Sequence, residues 1–206
     1  MERKIAQTLL QINAIKLSPA NPFTWASGWK SPIYCDNRRA LSFVEARREV
    51  YTAFAKIINE KYPEAEVVAG VATGAIAWGL GAADELKKPF IYVRSASKGH
   101  GLENQVEGYY QKGQKVVVVE DLVSTGGSSL KAVEALRNAG CEVVGMVAIF
   151  TYGFKVAEDN FKAAGVELTT LSNYNTLIDV AVESNYVTAD QVETLGEWRK
   201  SPSDWK

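Results

Sequence analysis

The stretch that decides the fold runs from residue 116 to 129 and reads Val-Val-Val-Val-Glu-Asp-Leu-Val-Ser-Thr-Gly-Gly-Ser-Ser. Four consecutive valines are typical of a strand that is buried on both faces, as in a parallel sheet. After the turn at 124–129, Leu130, Val133 and Leu136 recur at helical spacing. The stretch therefore predicts a buried strand, a turn of hydroxyls and glycines, and then a helix.

This turn is predicted to bind a phosphate group. It lies at the carboxyl end of a strand and at the amino end of a helix, where open α/β sheets bind their ligands. Free backbone N–H groups and the helix dipole favour an anion at such a position. Gly126 and Gly127 allow the backbone to approach that anion closely.

Glu120 and Asp121 stand directly before the turn, although phosphate sites are generally lined with positive or neutral donors. Two carboxylates suit a ligand with hydroxyl groups beside its phosphate, or a bridging divalent cation. A ribose 5-phosphate fits both the turn and the acid pair, with its phosphate in the turn and its 2′- and 3′-hydroxyls at the acids. A Walker A motif needs a lysine where Ser128 stands, and no Gly-x-Gly-x-x-Gly occurs. An ATPase and a dinucleotide enzyme are both disfavoured.

The same stretch resembles the 5-phosphoribosyl 1-pyrophosphate (PRPP) signature of type I phosphoribosyltransferases. The resemblance implies their α/β fold, with a central, mostly parallel sheet flanked by helices and a small N-terminal hood. It also implies that PRPP contacts Glu120, Asp121, Leu122, Val123, Ser124, Thr125, Gly126, Gly127 and Ser128. The alternative is an ordinary strand-turn-helix with a Ser or Thr cap.

Residues 23–38, Phe-Thr-Trp-Ala-Ser-Gly-Trp-Lys-Ser-Pro-Ile-Tyr-Cys-Asp-Asn-Arg, carry a second resemblance. Their aromatics and Gly28 predict two short strands around a turn. The segment is similar to the N-terminal segment of orotate phosphoribosyltransferases, which lies over the pyrimidine base. Many members have a lysine where this chain has Ala26, so Lys30 or Arg38 would supply any positive charge. Alternatively, the aromatics merely pack the hood and the lysine is solvated.

Residues 94–105, Arg-Ser-Ala-Ser-Lys-Gly-His-Gly-Leu-Glu-Asn-Gln, form a polar run without periodicity, and such long loops are often lids. The Arg-x-x-x-Lys-x-His-Gly pattern resembles the mobile catalytic loop of orotate phosphoribosyltransferases. The resemblance implies a homodimer that shares this loop across its interface, with Arg94, Lys98 and His100 on the leaving pyrophosphate. Some members have one more lysine, at the position of Ser95. Since histidine titrates near neutral pH, His100 is also a candidate proton donor, the alternative being an idle solvated side chain.

A second turn, Ala-Thr-Gly-Ala at 72–75, follows a predicted strand at 67–71. The corresponding loop of type I phosphoribosyltransferases contacts pyrophosphate, so the resemblance implies PRPP contacts for Thr73 and Gly74. Some orotate enzymes have a lysine where this chain has Gly74. A plain strand-to-helix connection is equally consistent with the sequence.

The orotate carboxylate requires a cation. Some orotate enzymes place an arginine near the end of a late strand, but this chain has none between Arg137 and Arg199. By elimination, Arg38 is predicted to neutralise the carboxylate. The resemblance implies Ser124 and Tyr34 as further orotate contacts.

Composition sets the broad class. The chain has 206 residues, 47% of them hydrophobic, which is ample for one buried core, and its net charge of -1 argues against nucleic acid as a partner. No apolar run approaches a membrane span, no signal-peptide core follows the first residues, and Cys35 and Cys141 lack metal or redox spacing. We expect a cytoplasmic protein without a membrane partner, with an N-terminal helix and hood at 1–40 and an α/β core at 41–206. Helices are predicted at 3–16, 43–60, 76–86, 155–164, 174–185 and 188–198.

Taken in chain order, the motifs resemble an orotate phosphoribosyltransferase. The resemblance implies conversion of orotate and PRPP to orotidine 5′-monophosphate (OMP) and pyrophosphate, with Mg²⁺ carried mainly by PRPP near Glu120 and Asp121. These two acids, with Lys98 and His100, are the expected catalytic residues. Two alternatives stay open: a phosphoribosyltransferase for another base, and a non-catalytic PRPP-sensing regulator on the same fold.

Overall fold

The structure, a computed structural model, describes residues 1–25, 28–95 and 105–205. Ten strands lie in these ranges: β1 (Ile15–Leu17), β2 (Phe23–Thr24), β3 (Lys30–Ser31), β4 (Ile33–Cys35), β5 (Val67–Val71), β6 (Phe90–Val93), β7 (Val106–Glu107), β8 (Lys115–Val123), β9 (Glu142–Thr151) and β10 (Leu168–Asn173). The main sheet has the order β10-β9-β8-β5-β6-β7, and only the β6–β7 pair is antiparallel. The predicted mostly parallel sheet flanked by helices is confirmed.

Seven α-helices accompany the strands within the described ranges: α1 (Glu2–Gln11), α2 (Val44–Lys61), α3 (Ile76–Leu86), α4 (Gly127–Asn138), α5 (Lys155–Ala164), α6 (Tyr174–Glu183) and α7 (Ala189–Lys200). A 3-10 helix spans Asn37–Ser42. The predicted bounds of α3 and α5 are confirmed. None of the helices in the described ranges is long and apolar enough to cross a membrane.

The helix predicted at 3–16 is wrong at its C-terminal end. The helix stops at Gln11, and Asn13 takes a positive φ of 55°. The following Ile15 and Leu17 pair with β4 as a short antiparallel strand. Both side chains are buried in that strand, so tertiary pairing overrides the helical periodicity of the sequence.

The centre of the sheet explains the valine run. Val116 to Val119 have 0% exposure in β8, and every residue of β5, which pairs with it, is buried. Helices cover both faces of a parallel sheet, so its middle strands read as continuous apolar runs rather than alternating ones. The two turns that are predicted to bind ligand therefore follow the most deeply buried strands of the sheet, β5 and β8.

The hood is a small antiparallel structure docked by aromatic rings. β2 pairs with β3 as predicted, whereas the pairing of β4 with β1 was not foreseen. Trp25 stacks on Trp29 and lies 5.4 Å from Tyr152 and 5.7 Å from Trp198, measured between ring centroids. Aromatic packing therefore fixes the hood to the end of β9 and to α7.

The N-terminal helix belongs to the helical layer beside β10. Ile5 and Leu9 of α1 are buried, Arg3 pairs with Glu183 of α6, and Asn173 Nδ2 donates to Glu2 Oε2 at 3.3 Å. The hood follows α1 in the chain, and its Trp25 packs against Trp198 of α7. A boundary at residue 40 stays a prediction.

Candidate active site

The acid pair lies inside β8, which continues past it to Val123. Pairing with β5 ends at Val119, while pairing with β9 continues to Val123. Glu120 and Asp121 therefore occupy the segment where β8 extends past its neighbour. Successive side chains of a strand point to opposite faces, so the two acids face different surroundings.

Glu120 points into the protein and is 5% exposed. Its Oε2 accepts a hydrogen bond from Ser129 Oγ at 2.8 Å, and its Oε1 accepts one from the Asp121 N–H at 2.9 Å. Burial, together with the charge of Asp121, raises the pKa of Glu120 to about 8. Both oxygens are thus engaged by the protein, and burial favours the protonated form of the carboxyl group.

Asp121 faces the turn at 72–75. A Cβ built on Gly74 would lie 2.2 Å from Asp121 Oδ2, far inside contact distance. Burial raises the pKa of Asp121, while a hydrogen bond with Glu120 and the positive charge of Arg38 oppose that rise. Gly74 and the exposed Thr73 therefore lie beside Asp121, so the structure brings these predicted contact residues together. Because Gly74 has no side chain, there is room for the Asp121 carboxylate.

The predicted phosphate turn is shaped by α5. Gly126 has φ +82°, and a Cβ there would lie 2.8 Å from the Phe161 ring, so both its backbone and its surroundings require glycine. Asn160 Nδ2 donates to Thr125 O at 2.9 Å. Ser128 and Gly127, which begin α4, are exposed and open to a ligand. No local pattern in the sequence marks Asn160 and Phe161, because their role depends on contacts with residues about 35 positions away.

The remaining residues of the signature stretch are partly occupied by the sheet. Val123 is buried, and its carbonyl oxygen accepts the Thr151 hydroxyl at 3.1 Å and the Tyr152 N–H at 3.3 Å. Leu122 is half-buried, and Ser124 is half-buried at the first position of the turn. Of the three, Ser124 is best placed to offer a side-chain donor to a ligand.

Two of the predicted orotate contacts lie on the hood side of the acids. Arg38 Nε is 2.6 Å from Asp36 Oδ1, and the Arg38 side chain is 60% exposed. The hydrogen bond with Asp36 raises the pKa of Arg38, with smaller contributions from Asp121 and Tyr34, and the charge of Arg38 in turn lowers the pKa of Asp121. Tyr34 is exposed and its ring packs 5.7 Å from that of Phe23. The predicted cation is therefore held close to the acid pair.

The base of the predicted catalytic loop is closed by pairing. Arg94 N donates to Gln105 O at 2.8 Å, and Arg94 Nη1 lies 3.6 Å from Glu107 Oε1. Val93 pairs with Val106 directly below this point. The predictions for Lys98 and His100 fall outside the described residues.

An arginine does reach the end of β9, although the sequence around the strand has none. Arg199 of α7 donates from Nε to Tyr152 O at 2.9 Å and from Nη2 to Gly153 O at 3.0 Å. Its Nη1 donates to Asn175 Oδ1 at 2.8 Å. All three guanidinium nitrogens are used within the protein, so Arg38 remains the better candidate for a ligand carboxylate.

Magnesium suits the donor set when it arrives with a phosphate ligand. Within the described ranges, no group of three or more His, Cys, Asp and Glu side chains is arranged to hold a metal. Mg²⁺ is commonly bound by one or two carboxylates, several waters and the phosphates of a substrate. Asp121 supplies carboxylate oxygens of that kind beside the phosphate turn, whereas both oxygens of Glu120 are engaged by Ser129 and the Asp121 N–H.

Comparison with known proteins places this fold and site in a class. The Phosphoribosyl transferase domain family matches residues 44–185, which include both ligand turns and the acid pair. The class is therefore that of the phosphoribosyltransferases.

Full-length relatives narrow the class. An orotate phosphoribosyltransferase of Cytophaga hutchinsonii is 58% identical over 204 residues, 99% of this chain and 98% of that protein. The crystal structure of orotate phosphoribosyltransferase from Aeropyrum pernix is similar with a TM-score of 0.77 and 30% identity, over 89% of this chain and 99% of the other. Leishmania donovani UMP synthase is similar with a TM-score of 0.79 and 29% identity over 95% of this chain, which spans 42% of that longer chain. The chain belongs to the orotate phosphoribosyltransferase family.

Proposed function

We propose that the protein transfers the 5-phosphoribosyl group of PRPP to orotate, giving OMP and pyrophosphate, as an Mg²⁺-dependent cytoplasmic homodimer. The observation that carries the proposal is the position of Asp121. This half-buried acid stands between the Gly74 turn and the phosphate turn, and Arg38 lies on its hood side. A ligand with a phosphate, ribose hydroxyls and a neighbouring anionic base matches that order of groups.

The ribose and its phosphate would bind first to the acid and the turn. Residues 125–128 offer backbone N–H groups and hydroxyls to the 5-phosphate at the amino end of α4. Asp121 would accept hydrogen bonds from the ribose hydroxyls. Glu120 would act indirectly, because its hydrogen bond with Ser129 holds β8 and the first turn of α4 together. The two acids then have different tasks in the same reaction.

Departure of pyrophosphate is the step that needs most electrostatic help. Negative charge grows on the leaving group and positive charge on the sugar, so donors fixed around the first and carboxylates near the second lower the barrier. Arg94, Lys98 and His100 would hold the pyrophosphate, from a loop shared with the partner subunit, and Thr73 and Gly74 would contact it from the turn that follows β5. Magnesium bound with PRPP supplies further positive charge to the pyrophosphate.

The base would be held between the hood and the turn. Arg38 would pair with the orotate carboxylate, and Tyr34 and Ser124 would complete the subsite. Closure of the 94–105 loop would exclude water, which otherwise competes with the base for the sugar cation.

The direct test is an absorbance assay that follows orotate in the presence of PRPP and magnesium. We expect the protein to consume orotate and to lose this activity when the metal is chelated. Uracil, adenine and hypoxanthine should show little turnover. Turnover of another base in preference to orotate would favour a phosphoribosyltransferase of different specificity. PRPP binding without turnover of any base would favour a sensing regulator.

A further inference from the structure

Asn37 joins the hood to the acid strand through a buried amide. It is 1% exposed and begins the 3-10 helix of the hood segment. Its Nδ2 donates to the backbone oxygen of Asp121 at 2.7 Å. Its Oδ1 accepts from the Cys35 thiol, with 3.4 Å between sulfur and oxygen. Both ends of the amide are used, so its orientation is fixed.

The residues around Asn37 face two different parts of the proposed ligands. Tyr34 and Arg38 are the hood's candidate contacts for the base. Asp121 is the acid placed for the ribose, 84 residues further along the chain. The Asn37 amide is therefore a direct hydrogen bond between the segment that carries the base contacts and the backbone of the ribose contact.

This bond acts on an acid with little room to move. An unpaired buried carbonyl costs about 1–3 kcal/mol, so the Asp121 oxygen favours the backbone orientation in which Asn37 reaches it. The carboxylate of the same residue already abuts Gly74, with no space for even one added carbon atom. A shift of the hood would therefore move Asn37 and change the orientation of the Asp121 carboxylate, because no free space lies between Asp121 and Gly74.

We propose that Asn37 is a positioning residue that couples the base subsite to the ribose subsite. Occupation of the hood by orotate holds Asn37, and Asn37 holds Asp121 in the orientation that accepts the ribose hydroxyls. The inference rests on the proposed function for the identity of the base, but the coupling itself is a property of binding and needs no turnover.

The test uses calorimetric titration of the full chain with orotate, with and without saturating ribose 5-phosphate. We expect ribose 5-phosphate to tighten orotate binding by about fivefold or more in the wild type. In Asn37→Ala this ratio falls to within about twofold of one. Cys35→Ala, which removes the thiol contact and leaves the bond to Asp121, is the matched control and keeps the wild-type ratio.

Asn37→Leu separates positioning from packing. It is close to Asn37 in shape and adds no charge, but it loses the donor to Asp121; the thiol contact that it also loses is the one removed in Cys35→Ala. A role in packing alone would leave this variant like the wild type, whereas positioning predicts the same loss of coupling as in Asn37→Ala. If thermal melting shows that Asn37→Ala does not fold, Asn37→Ser takes its place with the same expected loss.

The outcomes distinguish this inference from the proposed function. A wild type that consumes orotate but shows no coupling, or an Asn37→Leu variant that keeps the coupling, would overturn the inference alone. A wild type that couples the two ligands yet makes no OMP would overturn the proposed function alone. Absence of orotate binding would overturn both.

Discussion

Ser129 Oγ lies 2.8 Å from Glu120 Oε2, so a buried hydrogen bond ties the first turn of α4 to the strand before it. The serine is 1% exposed and the glutamate 5%, which leaves water no access to replace either partner. This hydrogen bond is thus a clamp that joins the strand end of the phosphate turn to its helix end. Asn160 holds the middle of the turn at Thr125.

Removing that clamp should destabilise the fold. We expect Ser129→Ala to lower the free energy of unfolding by about 1–3 kcal/mol, because it leaves a buried carboxyl oxygen without its donor. Urea denaturation followed by circular dichroism measures the change. Ser128→Ala is the control. Ser128 is the neighbour of Ser129 but its side chain is exposed, so this substitution should alter the free energy of unfolding by no more than about 0.5 kcal/mol. Equal effects of the two variants would contradict a structural role for the Ser129 hydroxyl.

The raised pKa of Glu120 predicts a specific dependence of stability on pH. The group titrates near 4.5 when unfolded and near 8 when folded, so between these values the folded state binds more protons. Its contribution to stability is therefore full below pH 4.5 and is lost as the pH rises through 8.

The measurement compares wild type with Glu120→Gln by denaturation across that range. We expect the wild type to lose stability relative to the variant as the pH rises, with a slope of up to about 1.4 kcal/mol per pH unit for one proton. A difference that does not vary with pH would show that the Glu120 carboxyl has an ordinary pKa. A difference of the opposite sign would show that the folded state favours the ionised carboxylate.

Gly74→Ala should damage PRPP use without unfolding the protein. The added methyl group would meet Asp121 Oδ2 and push the acid out of line. We expect kcat/KM for PRPP to fall on the order of a hundredfold, the size of effect that small misplacements of catalytic groups produce. Gly196→Ala, in α7 with open space around the new carbon, is the control and should leave activity unchanged. Full activity of Gly74→Ala would contradict the assignment of Asp121 as a ribose contact.

Arg38→Ala tests the assignment of the orotate cation. Loss of a charged partner for the carboxylate should raise KM for orotate by about tenfold or more, while KM for PRPP changes less. Steady-state kinetics with each substrate varied in turn gives the two values. Arg48→Ala, an exposed arginine of α2, provides the charge-matched control. Unchanged apparent affinity for orotate in Arg38→Ala would refute the assignment.

Lys98→Ala tests the loop. We expect turnover to fall by on the order of a hundredfold or more while circular dichroism stays that of the wild type, as for removal of a key electrostatic donor. Lys56→Ala, an exposed lysine of α2, should retain wild-type turnover. Normal turnover of Lys98→Ala would count against the assignment of the 94–105 loop to pyrophosphate.

Patterns that act over a few residues were sufficient to predict much of this structure. The valine run, the bounds of α3 and α5, and the β2–β3 hairpin follow from burial periodicity and turn residues. The end of α1 was wrong because Ile15–Leu17 has a strand partner some 18 residues away, which no local pattern reveals.

The residues that sequence reasoning missed share one property. Asn37, Asn160 and Arg199 each act through a hydrogen bond to a backbone carbonyl far away in the chain: at Asp121, Thr125 and Tyr152 respectively. A backbone carbonyl is the same group at every position, so nothing in the sequence marks which one a distant side chain will meet. Gly74 shows the reverse case, since the sequence presented an unusual glycine and only the fold supplied its reason, the Asp121 carboxylate.

The sequence by itself determined the kind of ligand that we propose: two acids beside a hydroxyl-glycine turn at a strand end indicate a phosphorylated sugar, because those groups act through their own chemistry and adjacency. The tertiary structure alone decided the division of labour between the acids. Neighbouring strand residues face opposite sides, so Glu120 entered the core against Ser129 while Asp121 was left facing Gly74 and the hood. Which side is interior depends on the helices that cover the sheet, and that is settled only when the whole chain has folded.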